Sequence, residues 1–168
     1  MAVLNPDHLL DQADRLITSP GGGAPRQADL RRAISSAYYA VFHTVVTEAA
    51  DILIGKKHRS SPRYALAYRS ITHSSLGKLC EDVIKTPLPK KYSKYLIDDF
   101  GLDLIALATA VVDLQEKRHL GDYDPLFRVR MSDAVLAVTT GRTALIRFRD
   151  ANRTKRRDFL TLLVFSPR

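Results

Sequence analysis

The sequence predicts an all-α protein, an antiparallel up-and-down bundle of four to five helices. Apolar residues recur at steps of three and four along most of the chain, a spacing that strands with a period of two do not produce. Prolines and glycines separate these stretches and leave short polar connections, which are typical of antiparallel neighbours in a bundle. A chain of 168 residues can bury one core without a disulfide or a metal.

The first two predicted helices are marked by proline at their starts. The first follows the Asn5-Pro6 cap and ends near Thr18, and a glycine-rich turn is expected at 19–23. The second runs from Pro25 to about Ile54, roughly 30 residues or about 45 Å, and has the clearest helical periodicity in the chain.

The later helices are each expected to begin at a cap or turn and to end near glycine or proline. They are predicted over about 62–85, 97–118 and 132–148. Ser61-Pro62 supplies the first of these caps, and Ser132 with Asp133 supplies the last. Residues 1–152 would then form the bundle, and residues 153–168 a basic tail that is either a short helix or partly disordered.

The net charge of +8 is unevenly distributed along the chain. Two basic blocks, 55–95 with a charge of +8 and 141–168 with +6, alternate with two acidic ones. One interpretation is a phosphate-facing surface. Its residues would be Lys56, Lys57, Arg59, Arg63, Lys90, Lys91 and Lys94, with Arg153, Lys155, Arg156 and Arg157. The alternative is that oppositely charged helices pack side by side, and only spatial clustering separates the two.

Cysteine content and hydropathy indicate the cellular setting. The one cysteine, Cys80, has no partner thiol and lies in a helical pattern, so we expect a buried side chain in a reducing compartment. No stretch approaches the roughly 18 apolar residues of a membrane span, and the first residues lack the pattern of a signal peptide. These features predict a cytoplasmic protein that does not enter the membrane.

A polar stripe follows one ridge of the second helix. Arg32, Ser36, Tyr39 and His43 are separated by steps of four, three and four residues, and Arg31, Ser35 and Tyr38 flank them. Arginine and hydroxyl groups suit a phosphate or a ribose, tyrosines can stack on bases, and histidine can transfer a proton near neutral pH. The alternative is a helix buried on several sides, whose polar groups bond to its neighbours.

A second polar group ends the fourth predicted helix, and it consists of Arg118, His119, Asp122 and Tyr123. Arg118 and Asp122 would form an i,i+4 ion pair if the helix continued, although basic residues also favour a helix C-terminus for its dipole alone. Arg69 and His73 are expected to share a face of the third helix. The spacings of zinc ligands and of phosphate-binding loops are missing from the sequence, so no metal and no cofactor is predicted.

Both polar segments resemble the HEPN family, the helical domains of higher eukaryotes and prokaryotes with nucleotide binding. Residues 31–43 are similar to its arginine-rich Ala-Tyr-Tyr-Ala-x-Phe-His helix, and residues 118–123 to its Arg-x-x-Ala-Asp-Tyr segment. The resemblance spans about residues 5–150. It implies a bundle, frequently a homodimer, in a group that includes ribonuclease toxins, partners of nucleotidyltransferases in toxin–antitoxin pairs, and antiviral defence proteins.

The sequence departs from the ribonuclease members of that family. Those members resemble one another in an arginine that is followed four to six residues later by a histidine, paired across a dimer. Here His119 follows Arg118 directly, and Asp122, Tyr123 and Asp124 stand at the later positions. A metal-independent ribonuclease needs both a base and an acid, so Asp122 or His119 would have to substitute.

Three functional hypotheses follow from the sequence. The first is a module that binds RNA, a nucleotide or a partner nucleotidyltransferase, with candidate binding residues Arg31, Arg32, Ser36, Tyr39, Asp122 and Tyr123. The second is an endoribonuclease with candidate catalytic residues Arg118, His119 and His43. The third is a non-catalytic bundle in which the stripe only fastens one helix to another. If Arg118 and Asp122 meet Tyr39 and His43 and no cleft opens there, the third holds.

Overall fold

The computed structural model describes residues 4–18, 23–96 and 99–167. Within those ranges all regular structure is helical, which confirms the predicted all-α class. The α-helices are α1 (Asp7–Thr18), α2 (Gln27–Ile54), α3 (Pro62–Ser70), α4 (His73–Val83), α5 (Gly101–Tyr123), α6 (Met131–Asp150) and α7 (Arg153–Val164). Short 3-10 turns lie at Lys56–His58 and Lys90–Tyr92. The described residues thus form seven α-helices, where four to five were predicted.

Helix α2 lies at the centre of the bundle and packs against α1, α3, α5, α6 and α7. Its apolar residues therefore face several neighbours, which explains why small and polar residues such as Ser35 and Ser36 are buried on it as well. Gly141 allows α6 to approach α2 closely, since a Cβ built there would lie 3.2 Å from the carbonyl oxygen of Ala37. The glycine weakens α6 locally but permits this contact.

The third predicted helix is wrong as a single element, because the chain turns between α3 and α4. Ile71 has an extended backbone, with φ −89° and ψ 120°. The Thr72 hydroxyl then accepts a hydrogen bond from the Ser75 N–H at 3.1 Å and caps α4. Arg69 and His73 consequently lie on different helices and share no face.

Helix α5 continues beyond its predicted end near Arg118 to Tyr123. Gly121 lies inside the helix and is buried against Arg31 of α2, whose backbone would be 3.9 Å from an added Cβ. Arg118 and Asp122 therefore lie one turn apart on the same helix, as their pairing requires. The predicted start of this helix, at residue 97, lies outside the described residues, and α5 begins at Gly101.

Helix α6 begins slightly earlier than predicted. Its first residue is Met131, and Asp133, which was expected as a cap, lies inside the helix. The Asp133 carboxylate instead accepts a hydrogen bond from the Arg130 N–H at 2.9 Å. A carboxylate in the first turn also interacts favourably with the positive end of the helix dipole.

The segment predicted as a basic tail contains helix α7, which packs on the core. Asn152 caps it by accepting hydrogen bonds from the N–H groups of Thr154 and Lys155. Its apolar residues Phe159, Leu160, Leu162 and Leu163 are all buried. The basic residues at its start thus belong to a structured helix.

Two further predictions concern burial and membrane insertion. Cys80 is fully buried, as predicted, and burial raises the pKa of its thiol. In the described part of the chain, no helix combines the length and the apolarity needed to cross a membrane. The glycine-rich turn predicted at 19–23 lies, except for Gly23, outside the described residues.

Candidate functional site

Polar and aromatic side chains from four helices meet beside the centre of α2, and we name this group the Arg118 cluster. Its members are Ser35, Tyr38, Tyr39 and His43 of α2, Tyr68 of α3, His73 of α4, and Arg118 and Asp122 of α5. Residues three and four apart on α2 face the same side, and the turn between α3 and α4 brings Tyr68 and His73 to that side.

Arg118 lies in the middle of the cluster with much of its hydrogen-bonding capacity unused. Its Nη1 donates to the Tyr39 hydroxyl at 3.5 Å and lies 3.7 Å from the Asp122 carboxylate, so both contacts are long. Its buried Nε has no hydrogen-bond partner among the described residues. The guanidinium lies over the ring of Tyr38, 5.2 Å from the centroid, which supplies a cation–π contact.

Asp122 is held by a different partner. The Ser35 hydroxyl donates to its Oδ1 at 2.7 Å, whereas Arg118 lies 3.7 Å from Oδ2. The carboxylate is therefore anchored to α2 and does not form a close bidentate pair with the guanidinium. Two parallel bonds of that kind would have used the donors of Arg118 fully.

Two histidine–tyrosine pairs form the rest of the cluster. A hydrogen bond of 2.9 Å joins the Tyr38 hydroxyl to Nδ1 of His73, and one of 2.6 Å joins the Tyr68 hydroxyl to Nδ1 of His43. Phe42 packs on both imidazoles, with centroids 4.0 Å from His73 and 5.3 Å from His43. The two hydrogen-bonded pairs are thus packed against the apolar ring of Phe42.

This environment lowers the pKa of both imidazoles. Burial is the cause for His43, and for His73 burial is reinforced by the positive charge of Arg118. Burial raises the pKa of Tyr38 and Tyr68, so both phenols stay protonated. At neutral pH the cluster therefore contains the Arg118 guanidinium and the Asp122 carboxylate beside neutral imidazoles and phenols.

Because these two pKa values are lowered in the folded state, we expect stability to fall on acidification. Below about pH 6.5 the unfolded chain binds protons on His43 and His73 before the folded chain does. The free energy of unfolding should be highest above that pH and decrease towards about pH 5.5, by at most about 1.4 kcal/mol per pH unit for each histidine. Urea unfolding at several pH values measures this slope.

Glutamine variants assign the slope to individual residues. His73→Gln and His43→Gln should each reduce it, because each variant removes one imidazole whose pKa is lowered in the folded state. An unchanged slope in His73→Gln would contradict the assignment.

The structure separates the predicted stripe. Tyr39 and His43 join the Arg118 cluster, Ser36 is buried nearby on α2, and Arg32 is exposed. His119 and Tyr123 lie at the exposed end of α5 with ring centroids 5.0 Å apart. Tyr68 and His73 were not predicted as members. The turn that places them is not visible in the apolar periodicity.

Arg31, a predicted binding residue, is used to fasten the chain that follows α5. Its Nη1 donates to the carbonyl oxygens of Gly121 and Asp124 at 3.2 and 3.0 Å. Its Nη2 donates to the carbonyls of Pro125, at 3.3 Å, and Phe127. Its Nε is buried without a partner, as in Arg118, but the four carbonyl contacts use both terminal nitrogens of this guanidinium.

A cleft of about 470 Å³ opens beside Arg118, and we name it the Arg118 cleft. It is lined by Glu81, Val112, Gln115, Glu116, Arg118, His119 and Leu120. The residues of the predicted phosphate-facing surface lie away from the Arg118 cleft, and only some of them face one another. Lys91 pairs with Asp82 at 2.6 Å, whereas Lys56, Arg59 and the arginines of α7 line a second cleft.

The comparisons with known proteins leave the function to be argued from this geometry. Neither a family model, nor a curated protein, nor a solved structure matches the chain. Among the described residues there is no group of three or more His, Cys, Asp or Glu side chains that could hold a metal ion. The chemistry available at the Arg118 cluster is thus that of one guanidinium, one carboxylate, hydrogen-bonding hydroxyls and imidazoles, and aromatic rings.

Proposed function

We propose that the chain is a HEPN-like module that binds single-stranded RNA through Arg118. The observation that carries this proposal is the state of the Arg118 guanidinium, which has a buried Nε without a partner and only long contacts at Nη1. A guanidinium with free donors fits a phosphate group, which can accept two parallel hydrogen bonds from it. Arg118 also lines the Arg118 cleft, and 11% of its side chain is exposed, so a ligand in the cleft would contact the exposed part of the guanidinium.

The surroundings of the cleft favour a short contact with RNA. The rings of His119 and Tyr123 lie together at the exposed end of α5, and exposed rings can stack on unpaired bases. Glu81 and Glu116 line the same cleft, and their negative charges disfavour a phosphate next to them. A single phosphate at Arg118 with a stacked base beside it is consistent with both features.

Binding fits this site better than cleavage. His43 and His73 are hydrogen-bonded to tyrosines and packed on Phe42, and His119 lies against Tyr123. No histidine stands at 122–124 to serve with Arg118 as acid or base. The open cleft at Arg118 also argues against a purely structural role, which would need no access to the guanidinium.

The resemblance extends the proposal to partners. The extended proposal is that the chain forms a homodimer, binds a nucleotidyltransferase, and acts in a toxin–antitoxin pair or in defence. Size determination in solution and co-purification with a nucleotidyltransferase encoded beside this chain test these parts separately from RNA binding.

Substitution of Arg118 tests the proposal directly. We expect Arg118→Gln to weaken binding of a short labelled single-stranded RNA by about ten- to a hundredfold, since hydrogen bonds to charged groups contribute about 1.5–3 kcal/mol each. Arg118→Lys keeps the charge but not the bidentate geometry, so its RNA affinity should lie between those of the unaltered protein and Arg118→Gln. Fluorescence anisotropy at low and high salt measures the affinities.

The matched control is Arg128→Gln, which removes the same charge from an exposed position in the connection between α5 and α6. It should leave the affinity nearly unchanged. Equal affinities for Arg118→Gln and the unaltered protein would refute the proposal. If the unaltered protein shortens the RNA and Arg118→Gln does not, the ribonuclease hypothesis replaces it.

A further inference from the structure

A second cleft, of about 700 Å³, lies between the start of α1, the last turns of α2, the end of α6 and the first turns of α7, and we name it the α7 cleft. Six of its fourteen lining residues are basic and three are acidic, so its lining has a net charge of +3. The basic residues are Lys56, Arg59, Arg149, Arg153, Arg156 and Arg157. Cations that the sequence separates by about a hundred positions thus face one concavity.

Three of these cations neutralise the three carboxylates of the cleft. Arg59 forms two bonds to Asp51, at 2.9 and 2.6 Å. Arg149 pairs with Asp7 at 3.0 Å. Arg156 pairs with Glu48 at 2.9 Å, and the three pairs together involve every acidic residue that lines the cleft.

Arg156 fixes the wall of the cleft. Its Nε pairs with Glu48 of α2, and its Nη1 donates to the carbonyl oxygens of Phe148 and Arg149 at 3.0 and 2.7 Å. These bonds join α7 to α2 and to the end of α6. The position of α7, and of the other basic residues on it, is therefore determined before any ligand binds.

The other three cations, Lys56, Arg153 and Arg157, form no ion pair with any described residue. Arg153 and Arg157 are four residues apart and lie on one face of α7. They also lie in the first turns of the helix, where the dipole is positive and acidic residues are the favourable ones. The fold thus carries repulsive charges at one place, and a bound anion would remove that repulsion.

We propose that the α7 cleft binds the phosphate chain of a triphosphate, either that of a free nucleotide or that at the 5′ end of an RNA. A triphosphate carries several negative charges in a compact group, which suits three unpaired cations that converge in one cavity. The backbone of a nucleic acid needs an extended groove instead. The volume lies within the range of about 300–1,000 Å³ that small-molecule sites have.

The absence of aromatic side chains from the lining defines the expected selectivity. No aromatic ring in the lining can stack on a base. The affinity should therefore increase with the number of phosphates and should not depend on which base the nucleotide carries. Tripolyphosphate, ATP and GTP should bind alike, and AMP should bind much more weakly.

Calorimetric titration of the full chain with these four compounds at low salt tests the proposal. The double variant Arg153→Gln/Arg157→Gln should weaken tripolyphosphate binding by about tenfold or more, and Arg153→Lys/Arg157→Lys should retain most of it, because charge is the main requirement. The control variant Arg15→Gln/Arg128→Gln removes two exposed arginines from outside the cleft and should bind as the unaltered protein does. Thermal unfolding checks that each variant is folded.

A comparison of one RNA with a 5′-triphosphate and with a 5′-hydroxyl distinguishes the two sources. If the triphosphorylated RNA binds more tightly than both GTP and the 5′-hydroxyl RNA, the ligand is the RNA end. If its 5′-triphosphate gives no gain over the 5′-hydroxyl RNA while GTP binds, the ligand is the free nucleotide. The proposal is overturned if tripolyphosphate does not bind at low salt, if AMP binds as well as ATP, or if both Gln variants lose affinity equally. It is independent of RNA binding at Arg118, since these variants leave that residue unchanged.

Discussion

Phe159→Ala is expected to lower the free energy of unfolding by about 3–5 kcal/mol, the range for removal of a buried aromatic side chain. Phe159 is 0% exposed and packs edge-to-face on Phe100, with ring centroids 6.2 Å apart. The substitution removes apolar burial and leaves a cavity between α7 and the rest of the bundle. Urea unfolding followed by circular dichroism measures the change.

Phe165→Ala is the matched control, because Phe165 lies at the end of the same helix and is 65% exposed. It should change stability by no more than about 0.5 kcal/mol. If the two variants unfold at the same urea concentration, α7 is not part of the cooperative core. The expected difference thus tests whether the basic segment after residue 152 is structural.

Arg31→Ala is expected to lower the free energy of unfolding by about 2–3 kcal/mol. The side chain donates to four carbonyl oxygens in and after the last turn of α5, and several of these carbonyls have no other partner from a regular helix. Its loss removes charged hydrogen bonds and leaves partly buried acceptors unsatisfied. Amide exchange across residues 121–127 should become faster.

Arg32→Ala provides the comparison for Arg31, since the neighbouring side chain is exposed and has the same charge. Its substitution should change stability by no more than about 0.5 kcal/mol. A similar loss in both variants would mean that charge on α2, and not the contacts of Arg31, determines the effect.

These two arginines also show how far the sequence could predict the site. The pattern predicts that polar residues follow α2, but successive residues point about 100° apart, and only the packing of α5 determines which arginine is covered. Tyr39 and His43 belong to the predicted stripe and do join Arg118. Arg31 instead binds carbonyls of a connection about 90 residues away, a contact that depends on the tertiary fold.

The helices themselves were predictable where the periodicity is long and uninterrupted, as in α2. The break between α3 and α4 was not, because apolar residues continue at helical spacing through Ile71. Its local signal is the pair Thr72 and Ser75, in which each side chain accepts a hydrogen bond from the other residue's N–H. That capping box ends the turn that brings Tyr68 and His73 to the Arg118 cluster, so apolar periodicity alone does not predict these two members of the site.

The α7 cleft cannot form before helix α7 has been synthesised and has packed on the bundle. During translation this helix emerges after every other described helix, and its buried residues need α2 and α6 already in place. A nascent chain that lacks α7 has Lys56 and Arg59 but neither Arg153 nor Arg157. The basic residues of α7 therefore face the cleft only after this helix has packed on the bundle, so anion binding there would depend on the docking of α7.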